Sequence, residues 1–211
     1  MPMRRLSRIS LPLICAVLSA SALSGAQAAT AWDESVSGDF ANIGTSPTGV
    51  SLVVGSNIVS GTTGRSAAGV VDRDYFNFTL PAGWQLDSLT MLQGTTFLGP
   101  SELGFIAVQA GTQVTVNPTG GSATGLLGWS HYNPNDMGTD ILPSIGTGFM
   151  ATGFVGALQA GSYAFWIQET ATGSAVYNFD FRVSAVPEAS TPLMLMAGLV
   201  GLAGLRFSRR R

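Results

Sequence analysis

In residues 74–80, Asp-Tyr-Phe-Asn-Phe-Thr-Leu, the apolar side chains of Phe76, Phe78 and Leu80 alternate with Tyr75, Asn77 and Thr79. In residues 177–183, Tyr-Asn-Phe-Asp-Phe-Arg-Val, the alternation is unbroken. A period of two places successive side chains on opposite faces of an extended backbone, so each segment predicts a strand with one buried and one wet face. Residues 50–54 and 57–59, separated by Gly55 and Ser56, predict two shorter strands. The Gly, Ser and Thr stretch at 60–69 has no period and predicts a loop. Residues 32–42 form a polar leading segment carrying Asp33, Glu34 and Asp39. An Ala-Gly pair stands two residues after an apolar one in residues 80–86, 108–114 and 158–164. Each pair predicts a turn in which glycine takes a positive φ and from which a strand departs. No long amphipathic helix period occurs. The pattern predicts an all-β domain of short antiparallel strands, a β-sandwich rather than a barrel.

The two ends read differently. Arg4, Arg5 and Arg8 precede the apolar run 9–18, and Ala26-Gln27-Ala28 follows as a small-x-small site. Together they predict a secretory signal peptide over residues 1–28, cleaved after Ala28. Cys15, the one cysteine, lies inside it, so the mature chain carries no thiol or disulfide, and the bulky Ile14 before it opposes a lipoprotein signal. At the other end residues 193–205 are uncharged and apolar, and Arg206, Arg209, Arg210 and Arg211 follow. As a helix this run, with its flanks, reaches roughly 22 Å against a hydrocarbon core of about 30 Å. Such a helix spans only by thinning the bilayer or by letting its arginines snorkel, which suits a temporary anchor. The arginines place that end in the cytoplasm and residues 29–187 outside. The chain thus divides into a signal peptide (1–28), a secreted domain (29–185) and a tail (186–211) with a transmembrane helix at 193–205.

Between residues 29 and 187 there are eleven acids and three arginines (Arg65, Arg73, Arg182), a net charge of about −8 with no lysine. Nucleic acid and anionic lipid both reward clustered positive charge, and this surface offers none. His131, the one histidine, sits beside Ser130 with Asp136 and Asp140 close in sequence. No Gly-x-Ser-x-Gly elbow supports a serine hydrolase, and one histidine without mature cysteine is too few ligands for zinc. The segment reads as a polar turn and the protein as non-catalytic. The alternative is a secreted hydrolase acting on extracellular polymer, with Asp136 and Asp140 as its carboxylates.

Calcium is the one inorganic ligand with a basis, because it takes oxygen ligands from irregular loops. Asp72 and Asp74 alternate before a strand and share a side of the chain. Glu34 and Asp39 join them if the leading segment folds back, whereas Arg65 and Arg73 would turn the same acids into a surface ion network. Tyr75 and Trp166 occupy the face opposite the Phe-rich one. There they are either a platform for sugar rings or the core of a second covered face.

Two resemblances add to this. Val186-Pro187-Glu188, then the apolar run, then Arg206 and Arg209, Arg210 and Arg211, resemble the PEP-CTERM sorting tail, with Ala189 standing where the family usually has a second proline. That resemblance implies an exosortase-type processing enzyme as partner, transient inner-membrane anchoring, and a destination at the cell surface or in an exopolysaccharide matrix such as a biofilm. Residues 72–83 and 158–167, with 177–183, resemble bacterial pre-peptidase C-terminal domains. These are jelly-roll β-sandwiches that serve secreted proteins as binding or targeting modules, some with calcium, and the set Glu34, Asp39, Asp72 and Asp74 resembles calcium sites in some of them. The expectation is an exported binding or structural module associated with exopolysaccharide.

Overall fold

The computed structural model describes residues 28–99 and 103–186. Residues 1–27 of the expected signal peptide, and the tail from Pro187 with its 193–205 helix, lie outside the described residues. What is described is all-β and mostly antiparallel. Its strands are β1 (Ala29–Asp33), β2 (Thr48–Gly49), β3 (Asn57–Arg65), β4 (Val71–Leu80), β5 (Trp84–Met91), β6 (Gly104–Ala110), β7 (Gly128–Tyr132), β8 (Gly161–Gln168) and β9 (Gly173–Ala185). Two short helices, α1 (Glu34–Ser37) and α2 (Leu142–Gly146), lie between them.

The strands run in the order β5-β9-β3-β4-β8-β6-β7, with β1 added in parallel to β3 and β2 in parallel to β4. β3 and β4 pair only beside their connection, at Gly64 with Asp72 and Arg65 with Val71. Beyond that corner they part, and the sheet curls so that the β5-β9-β3 arm faces the β4-β8-β6-β7 arm. Alternation sets what lies between them. Phe76, Phe78 and Leu80 of β4 and Phe165 and Ile167 of β8 meet Val59 of β3, Leu86 and Leu89 of β5 and Phe179, Phe181 and Val183 of β9, all buried. Phe181 presents its edge to Phe76, Phe78 and Phe165 at centroid distances of 5.8, 5.8 and 5.3 Å, the geometry that the ring quadrupole favours.

Three local expectations are corrected. Residues 60–65 are not loop but the second half of β3, paired with β9 from Ile58 opposite Asp180 to Gly64 opposite Ser174. The thirteen-residue β9 supplies a ladder long enough to hold a segment whose own side chains give little strand signal. Residues 50–54 form no strand, because Asn57 organises them as a loop instead. Its side chain donates to the carbonyls of Val53, Gly55 and Phe181 at 2.8, 3.0 and 2.9 Å and accepts from the Val53 N–H at 2.8 Å. Of the three Ala-Gly turns, those at Gly83 (φ 79) and Gly161 lead into β5 and β8, whereas Gly111 (φ 107) closes β6 and no strand follows it.

The aromatic contacts make Phe179, fully buried and touching Tyr132 and Tyr177, a direct measure of the core. Phe179→Ala is expected to lower the unfolding free energy by about 3 to 5 kcal/mol in denaturant titration.

Candidate functional site

The inward phase of β4 does not stop at Phe76. Every second residue shares a face, so Asp74 and then Asp72 follow the same side toward the open end of the core. Asp74 is 0 % exposed, and neither of its carboxylate oxygens has a hydrogen-bond partner among the described residues. The inward positions of β3 at this level are Gly61 and Thr63, and Tyr177 of β9 stands opposite Gly61. A Cβ at Gly61 would overlap both the Tyr177 hydroxyl and the Glu34 carboxyl, so glycine keeps this space open.

The leading segment folds back over that opening. Asp33 caps α1 by accepting the Ser35 N–H at 2.9 Å, the chain turns at Gly38 (φ 91), and the Phe40 ring packs against Trp32 and Phe76 at 5.1 and 5.0 Å. Glu34 is then held by backbone on both oxygens. Its Oε1 accepts the Phe40 N–H at 3.1 Å and its Oε2 accepts the Thr62 N–H at 2.7 Å. One carboxylate oxygen from each of Glu34, Asp39 and Asp74 lies within 4.8 Å of the other two. Asp72 remains at the margin, where its Oδ1 accepts the Asn42 side-chain amide at 2.9 Å.

Electrostatics at this end are unbalanced. Burial pushes the Asp74 carboxyl up to about 9, and the charges of Glu34, Asp72 and Asp39 push in the same direction. The nearby Tyr177 hydroxyl offsets part of this, although neither group makes a hydrogen bond of ordinary geometry. Burial also raises Glu34 and Asp72, with Asp39 adding to both. The arginines do not answer these charges. Arg65 Nε donates to the Thr170 carbonyl at 2.8 Å and Arg73 Nε to the Gln168 side-chain oxygen at 2.9 Å, and neither arginine is among the charges acting on Asp72 or Asp74. A buried carboxylate without a counter-charge either takes up a proton or holds a cation.

The donor set fits a cation of one kind. All the candidate ligand atoms are oxygens, from three carboxylates plus the Tyr177 hydroxyl beside Asp74, which is buried without a partner. Oxygen ligands from α1, the loop after it, β4 and β9 suit calcium, not zinc. Sequence reasoning assembled the acids but missed Tyr177 and Gly61. The signal lay in the phase of β9, which puts Tyr177 on the face of Phe179 and Phe181, and in a glycine set within a strand opposite an aromatic residue. It also missed Glu169, a 3 % exposed acid whose Oε1 accepts the N–H groups of Thr170 and Ala171 while its Oε2 has no partner.

Other expected site residues lie elsewhere. Tyr75 and Trp166 are not on a wet face, being 2 % and 4 % exposed. The segment after β6 crosses the outer face of the β4-β8-β6-β7 arm and sets Val114 and Leu126 over both rings, tied down by Asn77 donating to the Thr112 carbonyl and the Val114 N–H donating to Gly44. Ser130 Oγ donates to the His131 carbonyl at 2.9 Å. Asp136 accepts the N–H of Asn133 at 2.8 Å in a capping box at Pro134–Asp136, and Asp140 accepts the N–H groups of Leu89 and Leu142 at 2.9 and 3.0 Å. Both carboxylates therefore serve backbone donors. Of the sorting residues only Val186 is described, its N–H donating to Gly83 at 2.7 Å. Pro187, Glu188 and the tail arginines lie outside the described residues. No helix among the described residues is long and apolar enough to cross a membrane. Comparisons with family models, with curated proteins and with solved structures find no match.

Two outcomes are expected from this geometry. Gly61→Ala is expected to cost about 1 to 3 kcal/mol in denaturant titration, because its methyl group overfills the space kept for Tyr177 and Glu34. In chelator-treated protein, Asp74→Asn is expected to stay within about 1 kcal/mol of the parent, since no formed hydrogen bond is lost.

Proposed function

We propose that the chain is an exported, non-catalytic protein of the cell surface or extracellular matrix, a binding or structural module sorted by its PEP-CTERM-like tail. Its domain is a jelly-roll-like β-sandwich that holds calcium between Glu34, Asp39 and Asp74. The observation that carries the sorting assignment is the order of parts at the C-terminus, Pro187-Glu188, an uncharged run too short for a comfortable span, then Arg206 and Arg209 to Arg211. Its implied partners are an exosortase-type processing enzyme and the membrane during transit, with exopolysaccharide as the surrounding matrix. Support comes from where the first and last strands among the described residues lie. β1 begins at Ala29, the residue after the expected signal cleavage, and β9 ends at Ala185, just before the sorting segment. Two facing arms with an aromatic core between them support the sandwich.

Calcium would neutralise the carboxylates that the fold crowds together and tie the leading segment to the sheet. The orphaned oxygens of Asp74 and the Tyr177 hydroxyl support an ion there rather than a chance cluster of acids. In the chelator-treated full chain, millimolar calcium is expected to raise the melting temperature by mass action on the native state, and Asp74→Asn to abolish that rise. An unchanged melting curve with calcium would remove the site.

For sorting, mass spectrometry of material released by the native host is expected to find Ala29 at one end and a C-terminus near residues 186–190. Replacing Pro187 and Glu188 is expected to leave full-length protein in the membrane fraction. Released protein that still carries residues 193–211 would overturn the assignment.

A further inference from the structure

On the outer face of the β4-β8-β6-β7 arm, strand register lays the side chains out in two rows. Tyr75, Trp166, Ala107 and Trp129 are consecutive partners across one row, and Arg73, Gln168, Phe105 and His131 across the next. The crossing segment covers Tyr75 and one side of Trp166, and beside that cover the face stays open. There a cavity of about 280 Å³ is lined by Phe105, Trp129, His131, Trp166, Asn117 and Gln168, among others. The Phe105 ring lies 4.7 Å from that of Trp166 and 5.8 Å from that of Trp129.

Two side-chain amides of this cleft share a bias. Trp166 Nε1 is buried without an acceptor. Gln168 gives its oxygen to Arg73 Nε at 2.9 Å, and Asn117 gives its oxygen to the Thr119 N–H and hydroxyl at 3.0 and 2.9 Å. Both amides are thereby oriented with their NH₂ groups left as donors without an acceptor among the described residues. Trp166 Nε1 is closed off behind the rings, so the lining offers the two amide donors, Gln168 half-buried and Asn117 exposed, and neither a carboxylate nor an arginine. Aromatic faces bind the C–H face of a sugar ring or a methyl group, and amide donors beside them, their own oxygens already engaged, suit a ligand that brings an acceptor. A quaternary ammonium ligand would use the same rings but has no acceptor to offer. A uronate would have to approach a domain with a net charge of about −8.

We propose that this cleft binds an N-acetylated hexosamine unit of a neutral glycan, its methyl and ring C–H groups against Phe105 and Trp129 and its acetamido carbonyl on the side-chain amide N–H groups of Gln168 and Asn117. The assignment rests on the chain being an exported binding module and gives that module a ligand class.

The test is titration of the full-length chain, in detergent micelles, with N-acetylchitohexaose, cellohexaose, an oligouronate and choline, followed by tryptophan fluorescence and calorimetry. N-acetylchitohexaose is expected to bind saturably, with cellohexaose about tenfold weaker for want of the acetamido acceptor. Trp129→Ala and Gln168→Ala, both at partly exposed positions, are expected to weaken binding by about tenfold or more, measured well below each variant's own melting temperature because Trp129 also packs on the outer face, while Trp129→Phe retains most of it. Cellohexaose, oligouronate or choline binding as tightly, no saturable binding at millimolar oligosaccharide, or binding indifferent to both alanine variants would each overturn the proposal. Those failures leave the export assignment standing if the host still releases a chain processed at both ends. A chain retained in the cytoplasm removes that assignment whatever the cleft binds.

Discussion

The alternation of β4 is the constraint on which the rest depends. Because side chains exchange faces at every residue, the register that drives Phe76 and Phe78 into the core also drives Asp74 in behind them, and turns Tyr75 outward onto the other face. The burial of these phenylalanines, each worth a few kcal/mol, outweighs the cost of one desolvated carboxyl. The acid cannot escape without a one-residue slip that would expose every phenylalanine on the strand. A carboxyl brought into the core in this way needs company. The fold supplies it as a returning N-terminal segment, pinned by Phe40 against Phe76 and by Glu34 against the β3 backbone.

How much of this was legible in the sequence divides along the same line. The phases of β4 and β9 were, since Phe76, Phe78, Phe179 and Phe181 mark them with large apolar side chains at a strict period. Of β3 only the start at 57–59 was, because Ser60, Gly61, Thr62 and Thr63 carry no such marks and are strand only through their ladder to β9. The acids at the open end were half legible. Spacing put Asp72 and Asp74 on one side, but only the three-dimensional register brings Tyr177 of a distant strand against them, and only the glycine opposite admits it.

The outer face shows a different limit. Periodicity distinguishes the two faces of a strand but does not say whether the polar-looking one meets water. Tyr75 and Trp166 are buried there by a segment with no period of its own, held by side-chain amides and a few backbone bonds rather than by a ladder. A cover attached in that manner need not be complete. Its edge leaves Phe105, Trp129 and His131 accessible beside the buried rings.

The parallel pairing of β1 with β3 also sets how the domain is held. Ala29 begins beside Ser56 and Asn57, and Val186 leaves beside Gly83, at the pole where β3 starts and β9 ends. Tyr177 lies nine positions up β9 from Val186, roughly 30 Å of extended chain, and Gln168 is the final residue of β8, at the end remote from its Gly161 partnered with Leu80. Ala29 and Val186 therefore lie at one pole, while the acidic pocket and the aromatic cleft sit toward the other. Anything that grips the protein beyond Val186 carries it like a torch, with its chemistry at the far end, clear of the hand.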